Sequence, residues 1–202
     1  HTADCTRYAL ATALDELGGD VFVKPANMGS SVGVSHADSL EAVVAAVTLA
    51  TKYDNWIVIE ETVRAREIEV SVLGNRSPRA SLPGEITPSK DFYDYEDKYE
   101  DDAATLTIPA RLTPEQTEQV RSLALLAYRT LRCEGMARVD FFFEENGRGF
   151  LCNEINTIPG FTPISMYPKM WQASGVSYPE LIDELVALAV DRHVLRKHDT
   201  SH

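Results

Sequence analysis

Cysteine, basic residues and long apolar runs are scarce in this sequence, and each shortage excludes a class of protein. The three cysteines are odd in number and lack CxxC or CxxH spacing, which argues against a disulfide framework or a zinc site and favours reduced, cytosolic thiols. No apolar run approaches the roughly 18 residues that a membrane span needs. Lys and Arg number 19 against 31 Asp and Glu, and the net charge of -12 disfavours nucleic acid as a partner. We therefore expect a cytoplasmic protein that binds neither membrane nor nucleic acid.

The chain is long enough for one or two hydrophobic cores, since 44% of its 202 residues are hydrophobic. It begins with His1 in a segment that already has a helical pattern, which we interpret as a start inside a longer protein. Helical and strand patterns then follow one another without a regular β-α-β alternation. We therefore predict an α+β fold with antiparallel sheets.

The first sixty residues predict two helices and three strands. A helix over residues 4–17 ends at Gly18-Gly19, a strand follows at 21–24, and a second strand is expected at 32–35. We place the N-cap of the next helix at Asp38, with a glutamate three residues later. The apolar run "WIVIE" then predicts a buried strand.

The second half predicts a capped helix, a β-hairpin and a final helix. Thr113 and Gln116 form a capping box, and the apolar stripe of the helix that follows extends to Leu131. The hairpin strands "ARVDFFF" and "FLCNEIN" flank a turn at Asn146-Gly147. The last helix is expected from about residue 178 to residue 194.

The stretch "VFVKPANMGSSVGVS" combines a lysine at a strand end with a loop of small residues. It is neither a P-loop nor a dinucleotide fingerprint, because Lys24 precedes Gly29 and Gly33 and no G-x-G-x-x-G is present. Glycines let backbone N–H groups approach phosphate oxygens, beside which Lys24 supplies a cation. An ordinary hairpin with a lysine facing solvent is an equally good interpretation of this stretch alone.

Carboxylates gather on the late hairpin. Period 2 puts Arg138 and Asp140 on one face of the first strand, and Glu154 and Asn156 on one face of its partner. A three-residue turn places Asp140 opposite Glu154, whereas a two-residue turn needs a bulge to bring them together. Three oxygen donors without His or Cys suit Mg²⁺, and the alternative is a solvated acidic face.

Further acidic residues and one long loop are harder to assign from the residues alone. Glu60, Glu61 and Glu67 could bind ribose hydroxyls or adenine, or could be surface glutamates. The segment "PSKDFYDYEDKYEDDAA", residues 88–104, has no helical or strand periodicity and contains Lys98 and Tyr99. Loops of this length are usually functional or disordered.

Together these motifs resemble the D-alanine–D-alanine ligase family of the ATP-grasp superfamily. The resemblance covers nearly the whole chain and is carried by "VFVKPANMGSSVGVS", "IVIEETVRAREIEVSVLG", "FYDYEDKYEDDA", "ARVDFFF" and "NEINTIPGFTPISMYP". It implies two α+β subdomains with antiparallel sheets that grip ATP. Residues 1–59 would be part of the central subdomain, and residues 60–202 the C-terminal subdomain with a mobile loop at 88–104 and the metal-binding hairpin. The family's N-terminal domain would be absent, so we expect the isolated chain to lack turnover.

The resemblance also implies a reaction. Members of the family use ATP and two Mg²⁺ (or Mn²⁺) to form an acyl phosphate on one D-alanine, which the amine of a second D-alanine attacks. The product is the dipeptide of peptidoglycan precursors. Alternatives are a D-alanine–D-lactate or D-serine ligase, or a non-catalytic nucleotide-binding module. A homodimer is expected for the full-length protein.

Matching positions imply roles for the nucleotide-binding residues. Lys24 and the flap, with Ser31, would contact phosphates. Glu60 and Glu61 would lie at the adenine, and Glu67 would bind the ribose. In the loop at 88–104, Lys98 would reach the γ-phosphate, and Tyr99 would hydrogen-bond Ser30 as a catalytic pair that favours D-alanine as the second substrate.

The same comparison implies the metal and substrate residues. Asp140, Glu154 and Asn156 match the ligands of the two metal ions. Arg138 and the backbone at Gly160 correspond to groups that stabilise the oxyanion of the tetrahedral intermediate. Ser165 lies where the family holds the carboxylate of the second D-alanine.

Overall fold

The computed structural model describes residues 2–87, 105–162 and 164–195. The predicted loop at 88–104, with Lys98 and Tyr99, therefore lies outside the described residues. The chain divides into two compact units, one ending at Arg64 and the other containing Ala65–Thr87 and the residues from Thr105 onward. Within the described ranges, no helix is both long enough and apolar enough to cross a membrane.

The first unit is a three-stranded antiparallel sheet with two helices on one face. Its elements in chain order are α1 (Thr2–Glu16), β1 (Val21–Pro25), β2 (Ser35–Ala37), α2 (Leu40–Ala50) and β3 (Ile57–Glu61). The strands lie in the order β2-β1-β3. Alternate residues of β1 point into the core, where Val21 and Val23 pack against Val43 of α2 and Leu14 of α1. The opposite face of β1 carries Phe22 and Lys24.

Three predictions for the first unit were wrong in detail. The second strand begins at residue 35 instead of 32, because Ser30, Ser31 and Gly33 have positive φ angles, which turn the chain instead of extending it. The N-cap of α2 is Ser39 instead of Asp38, since the Ser39 hydroxyl accepts a hydrogen bond from the Ala42 amide at 3.3 Å. Strand β3 is only half-buried, because it is an edge strand with helices on one face.

The second unit is an antiparallel sheet with helices on both faces. Its elements are β4 (Arg66–Leu73), β5 (Arg79–Ala80), β6 (Gly84–Thr87), β7 (Thr105–Thr107), α3 (Pro114–Thr130), β8 (Met136–Glu144), β9 (Gly149–Asn156), α4 (Met166–Ala173) and α5 (Tyr178–Leu195). The strand order is β7-β6-β4-β8-β9, with β5 paired to β4. The central position of β4 and β8 makes them the most constrained strands of this unit.

One face of this sheet is apolar and is covered by α3. Ile68, Val70 and Val139 point toward Val120 and Ala124 of that helix. The predicted capping box at Thr113 and Gln116 is confirmed, with both reciprocal hydrogen bonds present. The predicted end of the apolar stripe was wrong, because Leu131 is the C-cap and its side chain is exposed.

The other face of the sheet carries polar residues and is partly covered by α4. Glu67, Glu69 and Ser71 share this face, since residues two apart in a strand point the same way. The Ser71 hydroxyl donates to the Tyr167 carbonyl at 3.2 Å, which anchors α4 over this end of β4. The sheet therefore presents its polar residues beside α4, and the candidate site lies there.

Candidate functional site

Three carboxylates lie side by side across β4, β8 and β9. Glu69 pairs with Asp140 between β4 and β8, and Asp140 pairs with Glu154 between β8 and β9. Directly paired residues of antiparallel strands share a face, so all three side chains are on the polar face. The next row holds Arg138 and Asn156, which also pair with each other. The sequence pattern predicted that Arg138 and Asp140 share a face of one strand and that Glu154 and Asn156 share a face of its partner, and the register brings these two pairs onto one common face.

A β-bulge brings Asp140 and Glu154 together. From the turn to Phe141 the register joins Glu144 to Gly149 and Phe141 to Cys152, and it shifts by one residue between Phe141 and Asp140. Asn153 is the extra residue. The register next to the turn is the one that a two-residue turn gives, which needs a bulge, although four residues, 145–148, connect the strands.

Arg138 is held by Asp140 in a bidentate ion pair. Its Nε donates to Oδ1 of Asp140 and its Nη2 donates to Oδ2, both at 2.7 Å. Its Nε also lies 3.3 Å from Oε2 of Glu69, an ion pair without hydrogen-bond geometry. The guanidinium side chain is only 21% exposed, so both contacts are made in a poorly solvated environment.

Burial and mutual repulsion dominate the electrostatics of this row. Burial raises the pKa of Glu69 above its ordinary value, and the neighbouring charge of Asp140 raises it further. Burial also raises the pKa of Asp140, against the lowering effect of Arg138. Burial opposes the charged form of Arg138, but the charges of Glu69 and Asp140 outweigh it and raise the pKa of the guanidinium. The cluster holds more negative than positive charge.

The donor set fits a hard divalent cation. Asn156 donates from Nδ2 to Oδ2 of Asp140 at 3.0 Å and to Oε1 of Glu154 at 3.3 Å, so the amide lies against both carboxylates. Its amide oxygen, two carboxylates and an excess of negative charge are what Mg²⁺ prefers. Among the described residues, no group of three or more His, Cys, Asp or Glu side chains is arranged to hold a metal. Such a site would therefore use the amide as its third protein ligand.

Gly160 and Ser165 lie close together in the loop before α4. A Cβ added to Gly160 would stand 3.0 Å from Oγ of Ser165. The same hydroxyl accepts a hydrogen bond from the Thr162 amide at 3.1 Å and lies 2.8 Å from the Thr162 hydroxyl. Ser165 is the N-cap of α4 but makes no side-chain capping bond, so its hydroxyl stays with the loop. The family resemblance implies that the Gly160 backbone stabilises the oxyanion and that Ser165 holds the carboxylate of the second D-alanine, so the two roles need these residues to be neighbours.

In the first unit, the structure pairs Lys24 with Glu60. Lys24 Nζ lies 2.7 Å from Oε1 of Glu60, on the sheet face opposite the core. Glu61 pairs with Val21 in the register and is therefore on the core side of the strand, away from Glu60. The side chains of Glu60 and Glu61 therefore point to opposite faces of β3, so only one of them can reach a ligand bound on a given face.

The small-residue loop between β1 and β2, residues 26–34, which we call the flap, is tightly turned. Ser30 and Ser31 have φ angles of 54° and 58°, and Gly33 has a φ of 75°. The amide of Val32 donates to the Gly29 carbonyl and the amide of Val34 to that of Ser31. The flap is thus a turn with a fixed conformation and not an extension of β2.

Of the two glutamates on the polar face of β4, the sequence predicted a role for Glu67 but not for Glu69. Glu67, a predicted site residue, is on the polar face of β4, where its register partner is Phe142. Glu69 is on the same face but was not predicted to belong to a site. It is 5% exposed and contacts Arg138. Glu69 could have been predicted from its position two residues after Glu67, on a strand that pairs with the strand of Asp140.

Comparison with known proteins agrees with this architecture. Residues 3–187 match the family model described as D-ala D-ala ligase C-terminus. The D-alanine–D-alanine ligase of Solibacter usitatus is 53% identical over 185 residues, covering 92% of this chain and 57% of that protein. That of Clostridium acetobutylicum is 51% identical over 179 residues, covering 89% and 52%. The chain therefore spans about half the length of the curated relatives it matches.

Solved structures of two ligases have the same fold. The D-alanine-D-alanine ligase from Coxiella burnetii has a TM-score of 0.82 at 42% identity, over 94% of this chain and 50% of that one. The VanG D-Ala:D-Ser ligase from Enterococcus faecalis has a TM-score of 0.80 at 34% identity, over 91% and 53%. The α+β, ATP-grasp fold expected from the sequence is confirmed. The chain belongs to the D-alanine–D-alanine ligase family, of which it contains the C-terminal part.

Proposed function

We propose that the full-length protein carrying this chain joins two D-alanine molecules at the expense of ATP, through an acyl phosphate, to supply the dipeptide of peptidoglycan precursors. The observation that carries the proposal is the pairing of Asp140 with Glu154 and of Arg138 with Asn156 on one face of β8 and β9. A nucleotide-binding module has little need for a half-buried arginine beside such carboxylates. We also propose that the full-length protein is cytoplasmic and acts as a homodimer.

Asp140, Glu154 and Asn156 would hold two Mg²⁺ ions, or Mn²⁺. When bound, the metal ions supply positive charge that neutralises the triphosphate and the phosphoryl group in transfer. The protein's own part is to fix the ligands. The bulge at Asn153 sets the spacing of Asp140 and Glu154, and the central position of β8 holds Asp140 in place.

Arg138 would stabilise the oxyanion that forms when the second amine attacks the acyl phosphate. Its guanidinium is oriented by two hydrogen bonds to Asp140, so the cost of ordering this side chain is met before substrate binds. The backbone at Gly160 would donate to the same oxyanion, and Ser165, whose hydroxyl lies beside Gly160, would bind the carboxylate of the second D-alanine.

The first unit would bind the nucleotide. Lys24 would contact phosphate oxygens, with backbone amides of the flap around Ser30 and Ser31. Glu60 would lie at the adenine and Glu67 at the ribose. Glu61 would contribute its backbone, because its side chain is on the other face of β3. Lys98 and Tyr99, outside the described residues, are assigned by the sequence resemblance alone.

The test is ATP- and D-alanine-dependent phosphate release by the full-length protein, compared with its Asp140→Asn variant. Loss of one charged metal ligand should lower kcat by about 100-fold or more and lower ATP affinity much less. Unchanged turnover in the variant would contradict the metal assignment. ATP binding without turnover in the parent protein would support a non-catalytic nucleotide-binding module.

The choice of second substrate is tested by competition among D-alanine, D-serine and D-lactate at several pH values. We expect D-alanine to be used preferentially, because the curated relatives that are 51–54% identical to this chain are named D-alanine–D-alanine ligase. Preferential use of a hydroxy acid or of D-serine would reassign the enzyme within the same family.

A further inference from the structure

Arg138 lies between two carboxylates but donates hydrogen bonds to only one of them among the described residues. Both oxygens of Asp140 accept from it at 2.7 Å, whereas Oε2 of Glu69 is 3.3 Å from Nε. That oxygen of Glu69 is buried and accepts no hydrogen bond from the described part of the chain. Leaving a buried carboxylate oxygen without a donor is costly, so a role for Glu69 in another arrangement of the cluster would explain its presence.

The proposed function gives Asp140 two tasks that compete. As a metal ligand, Asp140 shares its negative charge with a dication, and its attraction for the guanidinium weakens accordingly. The same dication repels Arg138. Arg138 must nevertheless keep its position if it is to stabilise the oxyanion, so a second anion has to hold it.

We propose that Glu69 is a positioning residue that holds Arg138 when Asp140 binds a cation, an inference that rests on the proposed function. Glu69 is the register partner of Asp140 on the neighbouring strand, and its carboxylate lies near the same guanidinium nitrogen, Nε, that donates to Asp140. Nε already lies 3.3 Å from Oε2 of Glu69, so the hydrogen bond requires its N–H, now donated to Asp140, to turn toward Glu69.

The surroundings of Glu69 suit this role better than contact with substrate. Glu69 pairs with Gly84 on β6, and a Cβ added to Gly84 would stand 2.4 Å from Cε of Met166. Helix α4 thus covers this end of the row, and Glu69 is 5% exposed, whereas Glu154 is an exposed residue. The carboxylate of Glu69 is therefore shielded from solvent where it contacts Arg138.

The rival role for Glu69 is that of a third carboxylate ligand of the metal. The carboxylates of Glu69, Asp140 and Glu154 are register neighbours, but they do not form a group arranged to hold a metal among the described residues. The experiment separates the two roles because a ligand and a positioning residue affect metal affinity differently.

The test follows the Nε–H signal of Arg138 by NMR in the full-length protein, with the signal assigned by its loss in Arg138→Lys. In the parent protein we expect slow exchange with solvent both without Mg²⁺ and with Mg²⁺ and a non-hydrolysable ATP analogue. In Glu69→Gln we expect the same protection without Mg²⁺. After addition of Mg²⁺ and the analogue, exchange in this variant should be about tenfold faster or more.

Kinetics give a second readout. Glu69→Gln should lower kcat by about 10- to 100-fold and leave the KM values for ATP and D-alanine within about twofold, because the group it positions acts in the transition state. Glu69→Asp keeps the charge and should recover part of both the protection and kcat. This variant also guards against misinterpretation if the glutamine variant folds poorly.

Glu85→Gln is the matched control. Glu85 is a buried glutamate of the same sheet that binds Arg66 with both oxygens, and it pairs with Ile68 on the apolar side of β4. Its substitution should lower stability but leave the Arg138 signal and kcat unchanged.

Two results would overturn the inference. One is Mg²⁺-independent protection of Arg138 in Glu69→Gln. The other is a loss of Mn²⁺ affinity, measured by electron paramagnetic resonance, as large in Glu69→Gln as in Asp140→Asn, which would make Glu69 a ligand. Absence of D-alanine-dependent turnover in the parent protein would instead defeat the proposed function, whatever the variants do.

Discussion

Gly33 is the residue on which the conformation of the flap should depend most strongly. Its φ of 75° costs an alanine about 1–2 kcal/mol. A Cβ there would also stand 2.7 Å from Cδ2 of Tyr53 and 2.9 Å from Cγ of Pro25. The Pro25 ring is closed onto the backbone and cannot rotate out of the way, and overpacking of this kind costs about 1–3 kcal/mol. Gly33→Ala should therefore strain the flap by about 2–5 kcal/mol.

The strain should appear as weaker nucleotide binding. If the flap escapes by leaving Pro25 and Tyr53, the backbone amides proposed to contact phosphate are no longer held in place. Each 1.4 kcal/mol required to restore the binding conformation weakens affinity tenfold, so a loss of about tenfold or more is expected. The assay is calorimetric titration of the full-length protein with an ATP analogue, alongside urea unfolding.

Gly29 provides the control within the same loop. A Cβ added to Gly29 has no atom within 4 Å, and its φ is outside the left-handed region. Gly29→Ala should therefore bind the analogue nearly as well as the parent protein. Equal affinities and equal unfolding free energies for the two alanine variants would refute the argument that Gly33 fixes the flap.

Two further predictions concern stability, both measured by urea unfolding. Tyr128→Phe removes a buried hydrogen bond of 2.7 Å from the hydroxyl to the Gly74 carbonyl and should cost about 1–3 kcal/mol; a neutral result would mean that the carbonyl finds another donor. Glu85→Gln should cost about 2–3 kcal/mol at neutral pH, less than a fully buried pair because Arg66 is 26% exposed. The hydrogen bonds from Arg66 lower the pKa of Glu85 in the folded protein. The difference in unfolding free energy between the parent protein and the variant should therefore be complete above pH 4.5 and disappear as the pH falls through the folded-state pKa of Glu85. A difference that grows in acid would contradict this.

The sequence was sufficient for much of the fold where one local rule determined the outcome. The capping box at Thr113 and the length of the final helix each follow from a single cap or periodicity. The start of β2 did not follow in this way. Val32 and Val34 favour a strand, but Ser30 and Ser31 take left-handed conformations that their residue type gives no reason to expect.

The candidate site shows a similar division. Period 2 places Arg138 with Asp140, and Glu154 with Asn156, on the faces that the register confirms. Which residue lies opposite Asp140 depends on the turn and on an extra residue in β9, and both turn geometries agreed with the sequence. A bulge is a property of two strands together, so a single strand's pattern cannot locate it.

Glu69 shows why alternation alone misjudges an interior polar residue. Glutamates alternating with aliphatic residues usually indicate a strand with one solvated face, yet six consecutive residues of β4 are buried, because α4 covers the polar face as well. A carboxylate held in that position beside Asp140 needs a positive charge nearby. Arg138 supplies a single positive charge, which Glu69 and Asp140 share. A second source of positive charge would let each carboxylate keep a partner of its own. The fold thus leaves an excess of negative charge in the place where the proposed reaction introduces cations. This excess is created by the packing of α4 over the polar face, and not by the alternation of residues along β4.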